Sequence, residues 1–326
     1  MRSSAHSTRC GLAPPAVLGF VALYLLIAGL KIHHDYAVLT SCHPANSGVC
    51  GTLAASFAHT DWTIANTTLI LMNFAPVLLG MFAGAPMLAR ELETGTFRYA
   101  WTQGFARERS VIARLVLVGL VVAALAGAFG ELFAWFFQPA MRNSGTNVLA
   151  GSVFATRGVA FAAWTLAAFM IAACAGMLLR RTVPAMAVTI GVYSVLDLLT
   201  WLVLRARYLP SVVTGNPNIG SGTSSVNAPW VVNSWATGPG GKPVSQAAIR
   251  AILQRIPDSP AQGSGIHQGL SPAQVQYLTT HDYVLWTRYI PVSRFWPMQF
   301  VEGGWLLALS VAVVASTVWL VRRRAA

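Results

Sequence analysis

Charge is what this sequence has least of. Only 10% of its 326 residues are Asp, Glu, Lys or Arg, against about 25% in an ordinary soluble domain, while 55% are hydrophobic. Such a balance excludes a water-soluble globular protein and places the chain in a bilayer. Catalytic signatures are missing too. "GPGGKPV" at 238–244 has neither the spacing of a phosphate-cradling G-x-x-x-x-G-K-[ST] loop nor a Ser or Thr after Lys242. A nucleophile elbow, an H-E-x-x-H helix and a C-x-x-C pair are also absent. We therefore expect no catalytic residue, no cofactor bound by this chain and no ATP hydrolysis by a P-loop of its own. His33, His34 and His43 lie near one another in sequence but without regular ligand spacing, so no metal is expected.

Cysteine is scarce, with four in all. Cys42 and Cys50 flank "SCHPANSGVC" in one segment, where an oxidising compartment favours a disulfide, with free thiols as the alternative. Cys10 and Cys174 read as inert thiols.

Long apolar runs are what the sequence does have. Stretches able to cross about 30 Å of hydrocarbon occur near 12–30, 64–89, 111–137, 155–179, 182–204 and 300–321. The fold class expected is an all-α integral membrane protein of six transmembrane helices, a single domain over 1–326. The first run has Arg2 and Arg9 in front like a signal peptide. "KIHHDY" follows it instead of a small-residue cleavage pattern, so it reads as retained. The net charge of +12 does not point to nucleic acid, because its distribution follows the membrane. Twelve of the Lys and Arg residues fall on the side of the termini, from Arg2 and Arg9 through Arg90 and Arg180 to Arg324. Lys31, Arg142 and Arg157 are all that the two short opposite loops hold. This positive-inside bias predicts both termini in the cytoplasm.

Within that frame, 31–62 reads as an outer loop, and Asn66, Asn73, Pro76 and Pro86 make the second span a helix to be packed inside a bundle. The Gly- and Ala-rich "GLVVAALAGAFG" of the third span suits close helix contact. "RRTVP" makes a tight inner hairpin between spans four and five. Residues 205–299 form an extracytoplasmic insertion. Its "TGNPNIGSGTSSVNAPW" reads as loop, and helices are expected over 243–256 and 271–281. Tyr289, Phe295, Trp296, Phe300 and Trp305 read as an aromatic belt at headgroup level.

The second and third spans are joined by a cytoplasmic loop at 90–110, with Glu91 and Glu93 after Arg90 and Gly95 able to break the helix. From Thr94 or Thr96 a short helix can start, placing Phe97, Ala100 and Trp101 on one face while Arg98 and Gln103 fall elsewhere. Such a helix either offers a surface to a partner or simply anchors two spans at the interface. "RELETGTFRYAWTQGFARER" resembles the inner loop of permease subunits of the type-2 ABC transporter class, in particular actinobacterial ones reading like "RE-E-GT-R-AWTQ" before an Arg-rich elbow. "YIPVSRFWPMQFVEGG" is similar to their approach to the last helix.

The resemblance implies a permease of an ATP-driven exporter in a bacterial plasma membrane. Glu91, Glu93, Gly95 and Thr96 would open a coupling helix, and Phe97 to Gln103 would dock on a separate ATPase subunit, in two copies, which holds ATP and Mg. It also implies a second permease copy or a homologous permease as dimer partner. Against the family pattern, the segment before the first span has room for only about 11 residues, and the insertion is long.

Glu131 and Asp197 fall at membrane depth, where an acid costs about 2.5–3.5 kcal/mol on insertion scales. With Asn66 and Asn73 they are candidates for the outer half of a translocation path. Otherwise they are packing glue, Glu131 with Arg157 and Asp197 with Arg205 or a hydroxyl. Glu302 reads as a cap or a pairing group at the interface, for example with Arg294. A competing function is a membrane sensor or scaffold binding a ligand or partner through 205–299.

Overall fold

The computed structural model describes residues 13–43, 48–93, 107–215, 229–256 and 272–325. It divides into a membrane unit, made of the chain up to Asn143, Gly151–Thr200 and the chain from Gln299, and a second unit made of Ser144–Ala150 and Trp201–Met298. Among the described residues, six helices are long and apolar enough to cross a membrane.

The first of them, α1 (Ala13–Ser41), runs well past the expected end at residue 30. No Gly or Pro interrupts "KIHHDYAVLTS", and its charges are paired. Lys31 Nζ donates to Asp35 Oδ2 at 2.6 Å, one turn along, and to Asp61 Oδ1 at 2.8 Å. Most of the expected outer loop 31–62 is therefore helix. After a short connection closed by the Cys42–Cys50 disulfide, with Cα atoms 5.8 Å apart, α2 (Gly48–Ser56) leads through a π-helical turn (Phe57–Asp61) into α3 (Trp62–Glu93). Pro76 and Pro86 both lie inside α3. Thus α4 (Arg107–Ser144) completes the first half.

A short α5 (Gly151–Ala155) is broken from α6 (Gly158–Leu179) at Thr156 and Arg157, so the fourth membrane helix starts at Gly158, three residues after the expected start at 155. Apolar all round, α6 is the buried helix of the unit, as that pattern requires. It ends on Arg180, whose backbone is left-handed (φ 53°) and whose N–H bonds the Gly176 carbonyl at 3.0 Å, a position more often filled by Gly. The hairpin to α7 (Thr182–Leu199) is as tight as the sequence implies. From Thr200 the chain continues as a π-helical turn (Thr200–Leu204) and a 3-10 turn (Arg205–Arg207).

Without a hydrophobic driving force between helices in lipid, small residues that let backbones approach decide the packing. Among the described residues, α3 and α6 approach backbone to backbone more closely than the expected "GLVVAALAGAFG" of α4 approaches its neighbours. A Cβ on Gly80 would come within 2.5 Å of Ala168 Cβ, and one on Gly176 within 2.9 Å of the Ala85 carbonyl. Gly84 lies equally tight against Phe169 and Ala172. In α4, Gly119 does abut Met170, whereas Gly127 only grazes Ala162 at 4.0 Å. Leu115, Phe169, Met170, Ala173 and Met177 form one apolar cluster of this core.

The second unit departs from the expected loop-and-helix insertion. Strands β1 (Val212–Gly215), β2 (Trp230–Thr237), β3 (Pro243–Val244) and β4 (Val284–Ile290) form an antiparallel sheet in the order β1-β4-β2-β3. Two helices accompany it, α8 (Gln246–Leu253) and α9 (Pro272–Thr280), both inside the stretches read as helical. The Ser245 hydroxyl caps the first by accepting from Ala248 N at 3.2 Å. Of "TGNPNIGSGTSSVNAPW", residues 216–228 lie outside the described residues. The last helix, α10 (Phe295–Ala325), starts five residues before the expected span and contains Trp296 and Phe300, both exposed. Trp305 of the expected belt instead packs edge-on against Trp164, at 5.7 Å and 87°.

Candidate functional site

The break between α5 and α6 leaves backbone groups at the end of one helix and the start of the next without helical partners. Gln299 supplies them from α10. Its Oε1 accepts from Ala160 N at 2.8 Å and its Nε2 donates to the Phe154 carbonyl at 3.0 Å, all buried. One turn further along α10, Glu302 is fully buried and accepts from Trp164 Nε1 at 2.8 Å. The Trp164 ring meets Tyr193 of α7 edge-on at 5.2 Å as well as Trp305. Residues of α6, α7 and α10 thus share one buried polar and aromatic cluster.

Glu302, which the sequence suggested as a cap or pairing group at the interface, is buried inside the bundle. Its carboxylate is turned into the bundle toward Trp164, where a buried acid finds a donor. Gln299 and Trp164 carried no motif and were not among the sequence candidates. The only hint was polar residues within an apolar run.

The four candidates for a translocation path stand on three helices. Asn66 and Asn73 are half-buried on α3, and Asn73 Nδ2 donates to the Leu69 carbonyl of its own helix at 2.7 Å. Glu131 on α4 and Asp197 on α7 are exposed. The Arg157 guanidinium does not close onto Glu131: its Nη2 donates to the Ala134 carbonyl of α4 at 3.2 Å. Burial pushes the Arg157 pKa down, and the charge of Glu131 opposes that shift. Glu131 therefore acts on Arg157 as a nearby charge rather than as a hydrogen-bonded partner.

Two further contacts tie α1 to its neighbours. His33 stacks on Trp135 at 4.7 Å and 14°, with Nε2 3.0 Å from the Trp135 carbonyl. The Tyr24 and Thr68 hydroxyls are 3.2 Å apart. Asp61, at the end of the π-helical turn, is buried with Lys31 as its cation. No group of three or more potential metal ligands occurs among the described residues.

Of the loop at 90–110, Glu91 and Glu93 close α3, and the described chain resumes in α4 at Arg107. Gly95, Thr96, Phe97, Arg98, Trp101 and Gln103 lie outside the described residues.

Comparison with protein families matched residues 15–205 to the family described as ABC-2 membrane transporter related. The chain belongs to that family. It is an ABC-2 type permease, a multi-pass membrane protein of the kind usually found in the bacterial plasma membrane. The match spans the first five membrane helices and stops before the first strand, β1. No curated protein and no solved structure matches the chain.

Proposed function

We propose that this permease is the membrane-spanning half of an ATP-driven exporter, coupled through its 90–110 loop to a separate ATPase subunit. The observation that carries the reading is the family membership over 15–205 in a chain whose sequence has no P-loop of its own. Energy must then come from a partner, and the segment whose sequence suits docking is the one between α3 and α4. Closure of two ATPases on ATP and Mg, pushing Glu91, Glu93, Gly95, Thr96, Phe97, Arg98, Trp101 and Gln103, would bias a two-state bundle between inward and outward access. Positive-inside bias supports cytoplasmic termini, with the sheet-bearing unit outside.

Exposed acids on membrane helices of one chain must be covered by protein or water. Glu131 and Asp197 therefore support a reading in which a second permease, identical or homologous, completes the path that they line with Asn66 and Asn73. Cationic or polar substrate groups suit such a path.

Gentle extraction of the tagged chain from its host, with identification and ATPase assay of what accompanies it, tests the proposal. Recovery of a P-loop ATPase in near-stoichiometric amount is expected. A chain that emerges with an external or signalling protein and no ATPase would instead favour a sensor built on the sheet-bearing unit.

A further inference from the structure

The two faces of the sheet in the second unit carry different side chains. Side chains alternate along each strand, and direct cross-strand partners share a face. Ala236 and Thr287 belong to one face and are buried. The other face carries the pair Trp235 and Trp286, the pair Asn233 and Arg288, and on β1 Val213 and Gly215. Arg288 and Asn233 are exposed, as is Val213.

Trp286 is laid broadside across this face. A Cβ at Gly215 would meet three atoms of its six-membered ring at 2.9, 3.0 and 3.1 Å. Three nearly equal distances mean that the ring covers Gly215 with its face. Any larger residue at position 215 would lift the ring. On the opposite side of the indole, Nε1 donates to the Thr237 hydroxyl of β2 at 2.9 Å, which fixes the ring's rotation. The Trp235 ring is nearly parallel to it, at 10° with centroids 6.5 Å apart. Arg288 lies over the Trp235 ring, its Cζ 5.9 Å from the centroid. The indole pair thus carries a cation, with the exposed Asn233 amide as that residue's cross-strand partner. Charge runs the same way through the whole stretch, since 201–298 holds seven Lys and Arg against two acids.

We propose that this face of the sheet is a binding site for an anionic saccharide. A sugar ring has one face of C–H groups, weakly positive, which suits the negative face of an indole. Asn233 can meet the sugar's hydroxyls, and Arg288 can grip a carboxylate with two parallel hydrogen bonds. Rigid Trp rings lose little entropy on binding.

The full chain in zwitterionic nanodiscs, where both membrane sides are accessible, is titrated calorimetrically with oligogalacturonate and, separately, with a neutral malto-oligosaccharide. Oligogalacturonate should bind and the neutral sugar should bind at least tenfold more weakly. Trp286→Ala should weaken oligogalacturonate about tenfold, and Arg288→Gln should remove most of the preference for the charged sugar while leaving the near-ultraviolet dichroism of the Trp pair in place. Equal binding of both sugars, no binding of either, or oligogalacturonate binding indifferent to Arg288→Gln would each overturn the assignment. None of these results bears on ATPase recruitment, so the transport reading stands or falls separately.

Discussion

Glu302 accepts the indole N–H of Trp164 at 2.8 Å, with both side chains buried between α6 and α10. Removing the acceptor strands a buried donor, which costs about 1–3 kcal/mol. Glu302→Ala should lower thermal stability in detergent by that order, and Glu302→Gln, which keeps an acceptor, by clearly less. Equal loss in both variants would show that the carboxylate's charge, and not the hydrogen bond, is what the site requires.

Gln299 serves both ends of the break between α5 and α6, bonding Ala160 N and the Phe154 carbonyl. Gln299→Leu keeps the volume and removes both partners, so a loss of about 1–3 kcal/mol for each group left unpaired is expected. Hydrogen exchange should rise locally at the start of α6. Protection there unchanged from the parent chain would refute the capping role.

The α3–α6 seam predicts a sharp contrast between glycines. Gly84→Val drives a side chain into Phe169 and Ala172, and overpacking of this kind costs about 1–3 kcal/mol or more. Gly191→Ala, where nothing lies within 4 Å, should leave stability unchanged or slightly raised. Monodispersity and melting of the two variants by size-exclusion fluorescence make the comparison.

Cys42 and Cys50 close a loop of sequence separation 8. Loop-closure entropy for such a ring is about 2.5 kcal/mol. Maleimide labelling of the denatured, unreduced chain should add two labels, on Cys10 and Cys174, and four after reduction. Four labels without reduction would show that the bond is absent in the cell.

For the coupling proposal, Phe97→Ala with Trp101→Ala should reduce ATPase co-purification at least tenfold while membrane insertion persists. Undiminished association and transport in the double variant would move the docking site elsewhere.

The number of membrane helices was legible in the sequence because hydrocarbon imposes a length and a composition on any segment that crosses it. Apolar runs, the paired Cys42 and Cys50, and the Arg-rich loop after Glu93 are local features, so reading the chain in order finds them. Helix ends were less legible: α1 continues to Ser41 because Lys31 finds Asp35 on its own helix and Asp61 from another. What only the tertiary structure decided were relations between distant residues. The Gly80 and Gly84 contacts on α6, the turn of Glu302 toward Trp164, and the pairing of β2 with β4 each join segments about 50 to 140 residues apart. In the insertion, short strands such as "WVVNSWAT" and "VLWTRYI" gain their identity from partners far along the chain, since a strand, unlike a helix, cannot satisfy its backbone alone.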